Sequence, residues 1–215
     1  MPESNTKVTS KGNTANHVNQ LDVAELIIRY LESICVQYIF GIPGGAIEPI
    51  YNAVAKSSRL GGLRPVNSCH ETGAAYMADG YYRETRKLGV CMATSGPGGT
   101  NLITGVACAY DNNIPMLVLT GQPAIPSFGR SALQESSDTG VNIVGMLDHC
   151  THYNSLVSHP DQLSHKLAGA ILSAFDARGP VHLSIPVDIL RQQTSSSTEV
   201  FDLASKLNKQ HSMFC

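Results

Sequence analysis

Charge is scarce in this sequence: Asp, Glu, Lys and Arg make up 15% of its 215 residues, against 42% hydrophobic residues. That leaves enough apolar side chain to bury one sizeable core, two at most. So few charges also imply that part of the surface is covered by another domain or subunit. A basic excess is missing too. The formal net charge is −2, which excludes the basic face that a nucleic-acid or membrane-surface binder needs. No apolar run approaches the ~20 residues that span a bilayer. The first 20 residues hold no apolar core and few basic residues, so neither a secretory signal nor a transit peptide is expected. None of the six cysteines forms a C-x-x-C pair, so a zinc site or thioredoxin-type motif is not expected. Cys91 and Cys108 sit inside apolar runs, where a thiol is a small hydrophobe. A reduced, cytoplasmic setting is the expectation.

Several catalytic signatures are absent. Ser95-Gly96-Pro97-Gly98-Gly99-Thr100 lacks the G-K-[ST] ending of a P-loop and is not G-x-G-x-x-G. It could instead serve a flat ring or a backbone that must come close. Ser95 is not in a G-x-S-x-G elbow, because Ala93 replaces the first glycine. His149 and His152 stand three apart in H-C-T-H, but spacing places no further ligand beside them. No metal site is expected in this chain.

What is present is an alternation of helical and strand-like segments. An arm (1–20) precedes an amphipathic helix from Leu21, with Val23, Leu26, Ile27, Tyr30, Leu31 and Ile34 at helical spacing. Short apolar runs follow at 35–40, 88–94, 114–120 and 181–185, with helical segments at 47–55, 71–83, 102–110 and 161–175. Residues 95–101 read as a glycine-rich loop, 121–137 as a long loop, 139–148 as a short helix and 153–157 as an edge strand. Strands apolar throughout, separated by helices, predict an α/β fold: a doubly wound, mostly parallel sheet with helices on both faces. The finished domain is expected over 21–191. Residues 192–215 read as a linker or tail towards an absent domain.

The centre of interest is N-S-C-H-E-T-G-A-A-Y-M-A-D-G-Y-Y-R, residues 67–83. Glu71 stands where P-V-N-S-C, readable as the end of a buried strand, meets a helix whose first residues have almost no bulk. α/β proteins place chemistry at such junctions; a first-turn Glu favoured by the helix dipole is the plainer reading. In S-A-L-Q-E, Gln134 and Glu135 follow the long loop and are either an exposed pair or ligand contacts.

Five segments in order, F-G-I-P-G-G-A-I-E-P-I-Y, the Glu71 stretch, A-T-S-G-P-G-G-T-N-L-I-T-G-V-A-C-A-Y, I-P-M-L-V-L-T-G-Q and A-L-Q-E, resemble the pyrimidine-binding domain of thiamine-diphosphate enzymes. The match spans about 21–191 and is closest to the acetolactate synthase and pyruvate oxidase branch. The resemblance implies that Glu71 hydrogen-bonds N1′ of the cofactor's aminopyrimidine, favouring the imino tautomer that takes the proton from thiazolium C2. It implies Ile42, Pro43 and Gly44 on the cofactor's reactive face. It also implies Thr94, Pro97, Gly98 and Asn101 around the pyrimidine, and Gln134 towards the reacting centre. The expected chemistry is decarboxylation of a 2-keto acid such as pyruvate, followed by carboligation. It would be completed by a diphosphate-binding domain or chain that brings Mg2+. FAD is possible through a central domain, and a homodimer or tetramer is expected. Leu133 replaces the usual aromatic before Gln134, and Asp148 and His152 stand where the family has Arg and Lys. A split 2-keto-acid decarboxylase and a non-catalytic assembly module are therefore the alternatives.

Overall fold

The computed structural model describes residues 21–194; the arm at 1–20 and the tail from 195 onward lie outside the described residues. Seven helices and six strands alternate: α1 (Val23–Ser33), β1 (Tyr38–Gly41), α2 (Glu48–Arg59), β2 (Arg64–Asn67), α3 (Glu71–Thr85), β3 (Gly89–Ala93), α4 (Pro97–Asp111), β4 (Met116–Gln122), α5 (Ile143–Leu147), β5 (Tyr153–Leu156), α6 (Leu163–Asp176), β6 (Pro180–Pro186) and α7 (Val187–Leu190). The strands form one sheet in the order β2-β1-β3-β4-β6-β5, and every pairing is parallel. This is the doubly wound α/β fold that the apolar runs predict. β3, β4 and β6 are buried along their whole length, because helices cover both faces. α1, α2 and α7 pack together, as do α3, α4 and α5.

Local chemistry sets the element ends. Asp22 caps α1 by accepting from the Glu25 amide at 2.7 Å. The same helix ends in a Schellman turn, in which Cys35 donates to the Glu32 carbonyl and Val36 to that of Leu31. Cys35 adopts φ +60 to make that turn, so β1 begins only at Tyr38 rather than at Cys35. Asn113 and Arg178 hold the corresponding left-handed positions after α4 and α6.

Two expectations change. Residues 97–101 are not loop: α4 begins at Pro97. Proline at the first helical position has the right φ and loses no bond there. Gly98 and Gly99 are tolerated because Thr94 and Ile143 pack closely against them. The strand leading to Glu71 is not buried either. β2 is an exposed edge strand containing Pro65, the sheet position at which proline is tolerated. The edge assignment of β5 agrees with the expectation. Beyond Arg191, backbone pairing continues: Val23 donates to the Gln192 carbonyl and Thr194 to that of Leu21.

One polar chain crosses the core. His182 on β6 is fully buried, with Nδ1 2.7 Å from Asn154 Oδ1 and Nε2 2.8 Å from Thr120 Oγ1. Asn154 Nδ2 donates to the Val144 carbonyl, so its Oδ1 accepts from His182 Nδ1–H. Burial pushes the His182 pKa down from 6.5 to about 3. The unfolded chain therefore takes up this proton first. Stability in urea falls as pH drops from 6.5 towards 3, by up to about 1.4 kcal/mol per pH unit. His182→Leu removes that component; a wild-type profile no steeper than the variant's across this window would contradict the account.

Candidate functional site

In a parallel sheet, ligand sites form outside the carboxyl ends of the strands where successive connections diverge. Here β1 connects outward to β2 while β3 connects the other way to β4. The turns after β1 and β3 therefore flank a crevice. They touch: a Cβ on Gly44 would stand 2.6 Å from Thr94 Cβ, so residue 44 must be glycine for the turns to meet. From the β2 side the chain delivers Glu71 as the first residue of α3, with His70 capping the helix by accepting from the Thr72 amide at 3.2 Å.

Glu71 is half-buried. Its Oε2 accepts from Asn101 Nδ2 at 2.9 Å, while no described residue donates to Oε1. Asn101 is held in turn, since the Thr72 hydroxyl donates to its carbonyl at 2.5 Å. The contact depends on α3 and α4 lying close together. A Cβ at Gly105 would stand 2.5 Å from Ala75 Cβ. α3 also presents its N-terminal dipole to the carboxylate, which favours negative charge there.

Gln134 reaches the same region by a long route. Its backbone has φ +56, a strained conformation for a non-glycine residue and common at functional sites. It packs against Gly96, itself at φ +61, where a Cβ would lie 2.9 Å from Gln134 Cβ. Two features hold this loop. Gln122, at the end of β4, donates to the Ser136 carbonyl at 2.7 Å and accepts from the Ser136 hydroxyl at 2.8 Å, both buried. Glu135 accepts from the Gly129 amide and from the Ser137 and Thr139 hydroxyls, bonds that hold its carboxyl down at about 2.

Thr94 thus touches both Gly44 and Gly98, Asn101 holds Glu71, and Gln134 rests on Gly96, all in turns and helix starts at one end of the sheet. Ile42, half-buried, and Pro43, exposed, belong to the turn after β1. Pro97 is exposed at the start of α4, where it sets the helix. Leu133 is 87% exposed beside Gln134. Ser95 is buried, unlike a hydrolase nucleophile. His152 stacks on Tyr110 with centroids 4.8 Å apart, and among the described residues no cluster of His, Cys, Asp or Glu could hold a metal ion. No helix among them is long and apolar enough to cross a membrane. Spacing gave no hint of the Gln122–Ser136 anchor or of the direct Asn101–Glu71 bond, both of which join residues distant in sequence.

The family model described as "Thiamine pyrophosphate enzyme, N-terminal TPP binding domain" matches residues 21–141. The chain belongs to this family. Its thiamine-pyrophosphate-enzyme relatives include the acetolactate synthase of Mycobacterium bovis, 41% identical over 181 residues, covering 84% of this chain and 28% of that protein. The acetolactate synthase isozyme 2 large subunit of Escherichia coli K12 is 42% identical over 167 residues, covering 77% and 29%. The acetolactate synthase of Arthrospira platensis is 42% identical over 155 residues, covering 72% and 26%. The matched part of the chain therefore covers between a quarter and a third of the length of these relatives.

Gln122→Leu leaves Ser136 without its buried partner. The urea midpoint should fall by the equivalent of about 1–3 kcal/mol, and proteolysis between residues 129 and 140 should accelerate. An unchanged midpoint and cleavage pattern would show that the loop is held elsewhere.

Proposed function

We propose that this chain is the pyrimidine-binding domain of a thiamine-diphosphate-dependent, acetolactate-synthase-like enzyme. The complete enzyme acts on 2-keto acids such as pyruvate by decarboxylation and carboligation. The observation that carries this reading is the carboxylate of Glu71, held through Oε2 by Asn101 with Oε1 free to meet a ring nitrogen.

The residues present suit an aminopyrimidine. Glu71 Oε1 supplies a hydrogen-bond partner that holds a proton at N1′. Asn101 fixes the carboxylate's rotation through its bond to Oε2. Gly44, Thr94 and Gly98 give a small-residue wall against which a flat ring lies. Ile42 and Pro43 cover the reactive face and keep water from it. Gln134, pinned through Ser136 and Gly96, offers an amide to the reacting centre. When bound, thiamine diphosphate supplies the nucleophilic carbon and the electron sink for decarboxylation. Mg2+ and the diphosphate are held by a separate diphosphate-binding domain or chain, and any FAD by a central domain. The domain works as part of a dimer or tetramer in the cytoplasm.

A second reading, a 2-keto-acid decarboxylase of the same family, rests on the two positions expected to be basic. Asp148 is exposed 3.5 Å from Asn154 Nδ2, and His152 lies against the Tyr110 ring, so neither position carries the Arg or Lys side chain expected to meet an anionic acceptor. Analysis of products from pyruvate separates the two: acetolactate supports the first reading and acetaldehyde the second.

The Glu71 role is tested by combining the chain with a complementary diphosphate-domain chain and following pyruvate consumption. Glu71→Gln removes the acid–base partner and should lower the rate by about a thousandfold, while the far-ultraviolet spectrum and unfolding midpoint stay unchanged. Equal rates from the two proteins would sink the assignment.

A further inference from the structure

Tyr51 lies on α2 and has no role assigned above, yet its hydroxyl is buried without a hydrogen-bond partner among the described residues. Leaving a buried hydroxyl unpaired costs about 1–3 kcal/mol, and a phenylalanine would fill the same space without that cost. The hydroxyl's position suggests what it is for. It rests against Gly41, the last residue of β1: a Cβ there would stand 2.9 Å from Tyr51 Oη. The same Cβ would meet the Met92 carbonyl of β3 at 2.4 Å, so this strand end is closely packed by backbone as well as by the phenol. The Gly41 carbonyl in turn accepts from the Ser68 amide at 3.1 Å, in the turn that leads from β2 into Glu71. Ser68 Oγ is a second buried hydroxyl without a partner. Burial, and then the charge of Glu71, push the Tyr51 phenol above its ordinary range. The carboxylate has one oxygen engaged by Asn101 from α4 and none by a donor from the sheet.

We propose that Tyr51 is a positioning residue for Glu71, its hydroxyl donating to the carboxylate across one bridging water molecule. A carboxylate held at two points keeps its free lone pair in one direction, the condition for holding a proton at a ring nitrogen. Tyr51 acts through Glu71 and touches neither cofactor nor substrate, and this inference rests on the role proposed for Glu71.

The first test needs only this chain, labelled with 13C at tyrosine Cζ. At neutral pH the Tyr51 resonance, assigned by its loss in Tyr51→Phe, should move in Glu71→Gln. That of Tyr153, at the opposite edge of the sheet, should not. An unmoved Tyr51 signal overturns the proposal whether or not the chain forms part of an enzyme. The second test uses the reconstituted enzyme. Tyr51→Phe should lower kcat about tenfold, the loss expected for one hydrogen bond to a charged group, with the KM for the 2-keto acid unchanged. The same substitution placed on Glu71→Gln should have no further effect. A Tyr51→Phe enzyme with wild-type kcat, or equal losses in both backgrounds, overturns the positioning role. Failure of Glu71→Gln itself to lower the rate removes the premise about Glu71, and is read separately from the Tyr51 resonance.

Discussion

α3 and α4 approach until Ala75 faces a glycine, and most of the site follows from that contact. Gly105 has no Cβ to keep the helices apart. Glycine inside a helix costs about 1 kcal/mol relative to alanine, a cost set here against close packing along two helices. One consequence lies at the helix starts. The first turn of α4 is brought beside the first turn of α3, so that Asn101 reaches Glu71 and the Thr72 hydroxyl reaches the Asn101 carbonyl. Each helix thus supplies a partner to the other's N-terminal residues, and the Asn101 side chain that orients the carboxylate is itself placed by the close packing of the two helices.

The same economy appears in the loops. Gly44 against Thr94 and Gly96 against Gln134 are contacts in which one partner contributes only backbone. They draw together turns from three different strand ends without filling the space between them with side chains. A flat ring needs such a slot: walls close enough to touch both faces, made of atoms that do not project. The polar groups are few and individually fixed, Glu71 by Asn101 and Gln134 through its neighbour Ser136, which Gln122 clamps. This arrangement of shape plus a small number of oriented groups is how small-molecule sites are generally built.

Much of this was legible in the residues. The uninterrupted apolar runs at 88–94, 114–120 and 181–185 announced central parallel strands, because only strands covered on both faces read that way. Glu71 stood out as a carboxylate between a short strand and a helix of small residues. What escaped was of two kinds. The start of α4 was misread because S-G-P-G-G-T has the composition of a loop. The helix there is held by Thr94 and Ile143, one before it and one forty residues on, and no local propensity reports such neighbours. P-V-N-S-C was readable as the end of a buried strand, but the edge position of β2 follows from topology. The Gln122–Ser136 pair and the buried chain through His182 likewise join residues whose separation in sequence carries no pattern. Hydrophobic periodicity registers which face of an element is covered, and says nothing about which polar atoms meet across the core.

The exposed strand β2 has one more consequence. It is four residues long, begins with an arginine, and its second residue is a proline without an N–H. A free sheet edge ordinarily invites another chain to add itself as the next strand, which is the first step of aggregation. This edge offers an interrupted ladder and a positive charge instead. The border of the sheet nearest Glu71 is thereby guarded against promiscuous strand pairing, and whatever completes the site must come over the ends of the strands rather than along their side.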